Sequence, residues 1–196
     1  MSKRLNEQMA FLIEVDQLKK VLRQSLLTDG SRRENDAEHS WHLAMMAILL
    51  AEHANETKLD LTKVLKMVVI HDIVEIDAGD TFAYDEKGKE DKEEREQRAA
   101  QRIFGLLPED QALELRRLWE EYERRDTAEA RFAASLDRLQ PLLHNFYTEG
   151  AAWKKHGVKS SQVLERAQAI GDGSRVLGDF AERLIRDAVA RGYLAP

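Results

Sequence analysis

LTKVLKMVVIHDIVE, residues 61–75, begins as an ordinary amphipathic helix and ends as something else. Its apolar residues recur at steps of three and four, the mark of a helix with one buried face. Its C-terminal end carries His71, Asp72 and Glu75, and the chain then runs through IDAGD to Asp80. Ionisable groups in an apolar segment cost several kcal/mol to bury unless they are paired or bound to a metal. Adjacent helical positions lie about 100° apart, so His71 and Asp72 can supply two ligands from one turn. Glu75, four residues beyond His71, falls on the same face, where it can reach water at an ion without being a ligand.

Outward from this stretch the chain reads as helix nearly throughout, with only 3 Pro and 10 Gly in 196 residues. EHSWHLAMMAILLAEHA (38–54) is apolar around much of its cylinder, which predicts a buried central helix, and His39 opens it. TAEARFAASLDRLQPLLHNFYTEGAAW (127–153) reads as one long helix that carries Asp137 and is kinked or loosened at Pro141. A first helix is expected over about 4–27, with Met9, Leu12, Ile13, Leu18, Val21 and Leu22 as its apolar stripe, broken by TDGSRREND. Two more helices are expected in 92–104 and 108–125, and a last one from about Ser160, interrupted at GDGSR and ending near Gly192. IDAGDTFAYDEKGKEDK (76–92) reads as an exposed loop bordering whatever the third helix presents. No strand pattern competes, so the fold class is all-α, a helical bundle of about six to seven helices.

Composition bounds the function. Thirty Lys plus Arg against 36 Asp plus Glu give a net charge of −6, and 43% of residues are hydrophobic, enough for one core. The acidic balance without a basic stripe argues against a reader of duplex nucleic acid, which needs several phosphate-neutralising side chains on one face. A small phosphorylated molecule remains a candidate substrate. Zero Cys removes disulfides, thiol nucleophiles and Cys-ligated zinc, and fits a reducing compartment. No apolar run approaches the ~20 residues that span a bilayer. The expected setting is cytoplasmic, without membrane contact.

His39, His71, Asp72 and Asp137 lie in three helical segments that can converge on one ion. Two imidazoles and two carboxylates without sulfur suit Mn, Fe, Co, Ni, Zn or Mg and leave positions open to water. Each residue alone has an ordinary explanation, as a hydrogen-bonded core histidine or a surface ion-pair member. Only the set carries force.

The set, with three local strings, resembles the HD-domain metal-dependent phosphohydrolases, in which H…HD…D stands on an all-helical scaffold. The strings are RRENDAEHS (32–40), HDIVEIDAGD (71–80) and LPEDQALELRRLWEEYERRDTAEARFAASLDRL (107–139). The branch they resemble contains the bacterial 5′-deoxynucleotidases and the eukaryotic HD-domain-containing proteins similar to them. The resemblance implies a single HD domain over 1–196, with its metal-site core in about 5–150 and a helical extension in about 158–192. It implies one divalent metal ion held by His39, His71, Asp72 and Asp137. It implies proton transfer by Glu75, positioning of substrate and water by Asp80, and substrate contacts from Asp80 and Thr81. An Arg of the first helix orients the phosphate in this branch, which points to Arg23, with Arg32 or Arg33 able to share that work. The implied activity is hydrolysis of a (deoxy)nucleoside 5′-monophosphate. The alternatives are a phosphodiesterase, a nucleotide pyrophosphohydrolase, or a regulatory module that binds nucleotide without turnover. Two departures fall where substrate identity would be set: Gln24 stands where some members carry Trp, and the TFAYDE loop after Asp80 lacks the usual proline.

His42 is expected to pack near the site, and His53, His144 and His156 to have no metal role. Trp41, Trp119 and Trp153 read as core or interface anchors, Asp77 as a surface residue, and KEDKEEREQR (89–98) as a solvated helix face. The apolar face of the long helix ending at Trp153 is the expected surface of a homodimer.

Overall fold

Residues 2–196 are described by a computed structural model. The chain runs α1 (Lys3–Val15), a 3₁₀ turn (Asp16–Lys20), β1 (Leu22–Leu26), β2 (Arg33–Asn35), α2 (Asp36–Leu50), α3 (Leu61–Ile70), a second 3₁₀ turn (His71–Val74) and the single-turn α4 (Glu75–Ala78). There follow α5 (Lys92–Phe104), α6 (Glu109–Arg124), α7 (Ala128–Tyr147), α8 (Ala151–His156), α9 (Ser160–Gln168), the short α10 (Ile170–Gly173) and α11 (Arg175–Ala190). Among the described residues, nine α-helices have six residues or more, against the six to seven expected.

The extra elements come from breaks that periodicity does not reveal. The expected helix over 127–153 ends at Tyr147 because Glu149 and Gly150 turn to positive φ, 54° and 74°. Gly150 is required there: a Cβ would stand 1.8 Å from the Tyr193 carbonyl oxygen. α7 itself runs unbroken through Pro141.

The expected helix over 4–27 is corrected more deeply. Beyond Lys20 the chain becomes an antiparallel hairpin, β1 with β2, with Leu22 opposite Asn35 and Leu26 opposite Arg33. The Arg33 guanidinium donates to the carbonyls of Leu22 and Arg23, clamping the two strands, while Asp29 accepts from the Ser31 N–H at 2.9 Å in the turn. Of the expected stripe only Leu18 is buried; Leu12 and Ile13 are 58% and 72% exposed, and α1 buries Phe11 against α5 instead.

α7 is the central element, packed by α2, α3, α6, α10 and α11. Phe132, Leu136 and Leu139 of α7 share one apolar cluster with Leu43 of α2, Met67 of α3, and Ile170, Leu177 and Ile185 of the C-terminal helices. A second cluster joins Phe11, Ile73, Ile103, Phe104 and Trp119. α2 starts on a capping box in which the Asn35 side chain accepts from the Glu38 N–H and Glu38 accepts from the Asn35 N–H. It is not buried all round, as expected, but amphipathic: His39, Leu43, Met46 and Ala47 face inward while Trp41, Ile48 and Leu49 are exposed. Trp119 and Trp153 are core residues. No helix among the described residues is long and apolar enough to cross a membrane.

Candidate metal centre

α3 stops one residue short of the chemistry. His71 caps it, and His71–Val74 wind as a 3₁₀ turn, in which successive side chains are about 120° apart rather than about 100°. The tighter turn brings His71 Nε2 to 3.2 Å from Asp72 Oδ1 and leaves both residues buried. His71 Nδ1 lies 3.0 Å from the Val68 carbonyl oxygen, which makes Nδ1 a donor and aims Nε2 into the site.

α2 and α7 complete the set. His39 Nε2 lies 3.1 Å from Asp137 Oδ1 and 3.8 Å from Asp72 Oδ2, and His71 Nε2 lies 3.7 Å from Asp137 Oδ1. The four residues read from the sequence therefore meet at one point. His71 Nε2 is buried without a hydrogen-bond partner, as are Asp36 Oδ2 and Glu75 Oε2. An orphaned imidazole nitrogen beside a second imidazole and two carboxylates fits a divalent cation and leaves its identity open.

The electrostatics say the same. Burial, with the nearby Arg23 charge, pushes His39 down to about 4, so it is a neutral imidazole. Burial also works against a charged His71, but the Asp72 and Asp137 carboxylates outweigh it and hold His71 up to about 9. Burial alone would raise Asp137, yet the close His39 and His71 rings and the charge of His71 keep it well below the usual carboxylate range. This is a negative pocket that draws a proton where a cation would serve.

Glu75 opens α4 and is buried beside Asp72 and Asp36. Burial, then the charges of Asp72 and Asp36, raise its proton affinity well above that of a free glutamate. Asp36 is a member of the site that the sequence reading missed. It is fully buried, pushed up to about 7 by burial and by Asp72, and accepts from Arg23 Nη1 at 3.1 Å. Its signal was present in ENDAEH, where an aspartate at the first helical position reads as an ordinary dipole partner.

Arg23 reaches the site from strand β1, not from a helix. Its Nη1 donates to Asp72 Oδ2 at 2.8 Å, and Nη2 lies 3.9 Å from Asp137. The two other arginines considered for the same work are engaged elsewhere: Arg32 forks onto Glu38, and Arg33 clamps the hairpin. Asp80 and Thr81 line the same cavity as Arg23, His71, Asp72 and Glu75. Burial raises Asp80, partly offset by Arg23. The Thr81 hydroxyl accepts from Arg95 at 3.2 Å, so the loop after Gly79 is tied to α5 and is not freely exposed. Asp77 is exposed and paired with Arg102.

Behind His39 stands a polar shell also missed from the sequence. Gln140 Oε1 lies 3.1 Å from His39 Nδ1, and Gln140 Nε2 donates to Glu34 Oε1 at 2.6 Å and stands 3.0 Å from His144 Nε2. Glu34, His42 and His144 form a second group behind the centre. His53 and His156 stand apart, the latter stacked on Phe82 with ring centroids 4.5 Å apart.

A helical bundle that gathers two imidazoles, two carboxylates, a buried glutamate and an arginine around one pocket has the makings of a metal-centred hydrolase. Residues 15–176 match the HD domain family, and the chain belongs to it. It is similar to the 5′-deoxynucleotidase HDDC2 of Homo sapiens, with 36% identity over 134 residues that cover 68% of this chain and 64% of the human protein. The chain thus spans just under two thirds of that relative's length. To the 5′-deoxynucleotidase HDDC2 of Xenopus laevis it is 30% identical over 185 residues, covering 84% of this chain and 90% of the other. The crystal structure of a predicted metal-dependent phosphohydrolase from Magnetospirillum magnetotacticum MS-1 superposes with a TM-score of 0.95 at 61% identity, covering 98% of this chain and 96% of that one.

Proposed function

We propose that this protein is a metal-dependent phosphomonoesterase that hydrolyses (deoxy)nucleoside 5′-monophosphates to nucleoside and phosphate. The observation that carries the reading is the convergence of His39, His71, Asp72 and Asp137 within 3.1–3.8 Å contacts beside the buried Glu75. The activity named for the HDDC2 relatives supplies the substrate class.

In this reading His39, His71, Asp72 and Asp137 hold one divalent ion. When bound, the ion polarises a phosphoryl oxygen and lowers the pKa of water at its open positions. Arg23 offsets charge on the remaining phosphoryl oxygens while holding the Asp72 carboxylate in place. Burial and the neighbouring carboxylates favour a proton on Glu75, which delivers it to the leaving alkoxide so that the nucleoside departs as a neutral alcohol. Asp36 shares the buried acid cluster with Glu75, and Asp80 with Thr81 lines the approach to the reacting phosphate. No covalent nucleophile is required, in keeping with a sequence that has no Cys.

The test is phosphate release from a panel of ribo- and deoxyribonucleoside 5′-monophosphates by metal-stripped protein supplemented in turn with Mn, Co, Mg and Zn. Metal-dependent release from deoxynucleotides is the expected result. Silence across the panel from protein that retains an ion overturns the substrate.

The same reading takes residues 1–196 as one HD domain working in the cytoplasm, and the protein as a homodimer. Trp153 is buried inside the protomer, and the surface proposed for the dimer is the outer face of α2, where Trp41, Met45, Ile48 and Leu49 recur at helical spacing and are exposed.

A further inference from the structure

Arg125, Arg138 and Arg166 line the same cavity as His71, Asp72, Glu75 and Asp137. Most arginines near the site are matched: Arg23 to Asp36 and Asp72, Arg32 to Glu38, Arg102 to Asp77 and Glu14. These three make no ion pair among the described residues, and the one hydrogen bond from any of their guanidinium groups runs from Arg138 to the Ala134 carbonyl at 3.1 Å. Arg138 is half-buried and follows Asp137 directly in α7. The carboxylates of the cavity gather at the metal centre, and these three guanidinium groups stand beside them without a direct ion pair, as donors open to an anionic ligand.

Arg138 and Arg166 also line a second cavity, which shares Arg23, Asp80 and Thr81 with the first and runs on to Asn145 and Trp153. The two cavities, about 210 and 90 Å³, form one cleft that leads away from the metal centre with the two arginines at the junction. At its outer part Asn145, itself only 8% exposed, donates through Nδ2 to the Pro141 carbonyl and leaves its Oδ1 without a partner. A buried acceptor beside unpaired guanidinium groups describes an anionic group that also carries a hydroxyl.

We propose that the cleft holds a second phosphate of the substrate, beyond the one that is hydrolysed, on Arg138 and Arg166. This rests on the phosphohydrolase reading above, which puts the scissile phosphate at Arg23. The second phosphate has two possible sources, the far side of the sugar or the same 5′ chain, and nucleoside 3′,5′-bisphosphate and 5′-diphosphate represent them.

Calorimetric binding to the Mn-loaded Glu75→Gln protein, in which turnover is expected to be slowed by roughly 10²–10⁴-fold, compares both with the 5′-monophosphate. The expected result is that one of the two binds about tenfold or more tightly than the monophosphate. Arg166→Gln should abolish that preference with monophosphate affinity held within about twofold, and Arg166→Lys should restore part of it. The same comparison on metal-stripped native protein repeats the test without Glu75→Gln. Equal affinity for all three ligands overturns the proposal, as does a loss of monophosphate binding in Arg166→Gln equal to the loss for the others, since Arg166 would then grip the scissile phosphate. A preference that persists while no monophosphate is hydrolysed leaves the second-phosphate site standing and removes the monoesterase reading.

Discussion

Gln140 determines which nitrogen of His39 faces the metal centre. With Gln140 Nε2 donating to Glu34, its Oε1 is an acceptor 3.1 Å from His39 Nδ1, so Nδ1 carries the proton and Nε2 presents its lone pair toward Asp137. Replacing Gln140 with Leu leaves the ring free to take the other tautomer and strands the Glu34 carboxyl. Metal affinity should fall by about 10–100-fold, measured by competition with a chromophoric chelator, while helix content is retained.

Asp137→Ala and His71→Ala remove a proposed ligand outright. Each should abolish stoichiometric metal uptake, read by elemental analysis after gel filtration, and phosphate release together. Full activity in either variant would exclude the four-residue ligand set.

Glu75→Gln separates binding from turnover. It keeps the shape of the buried side chain and removes the transferable proton, so metal content should stay at the native level. The rate should drop by roughly 10²–10⁴-fold, the usual contribution of a general acid. A native rate would remove Glu75 from the mechanism.

Glu34 gives the protein a pH dependence of known sign. Burial pushes its carboxyl up to about 7, against 4.5 when free, with Arg23 and the Gln140 amide opposing. Between those values the folded state binds more protons than the unfolded one, so this residue's contribution to stability falls as pH rises and is least favourable above pH 7, by up to roughly 3 kcal/mol. Glu34→Gln removes it. The Tm of metal-free Glu34→Gln minus that of the native protein should therefore increase from pH 4.5 to pH 7.5. His144, held down to about 4 by burial, drives the native protein the opposite way in part of this range, and the difference cancels it.

The α2 surface is tested by Ile48→Lys. Sedimentation should show a dimer for the native protein and a monomer for the variant at micromolar concentration, with the far-ultraviolet spectrum unchanged. A monomeric native protein removes the dimer.

The meeting of His39, His71, Asp72 and Asp137 was readable because placing them in apolar segments has no cheap alternative explanation, and the sequence shows that conflict directly. Asp36, Glu34 and Gln140 were not readable, because each is an ordinary residue at a helix start or on a helix face until the tertiary fold closes over it. The hairpin was missed for a related reason. LRQSL carries no alternation strong enough to signal a strand, and what holds it extended is Arg33, ten residues further along the chain from Arg23, bonding to its backbone. Arg23 was nonetheless identified, because the resemblance rests on residue type and order and not on the secondary structure that carries them. The stripe of α1 misled for the opposite reason: its spacing is helical, but a helix on the rim has more apolar surface than the core has room to cover.

The hairpin has a practical side. Arg23 and Glu34 sit on its two strands and are held by the capped start of α2, while the tip between them, Thr28 to Ser31, is fully in solvent. The tip is the natural point at which to splice in an epitope, a fluorophore-bearing peptide or a protease site, giving a handle a few residues from Arg23 with the pairing that positions it left whole.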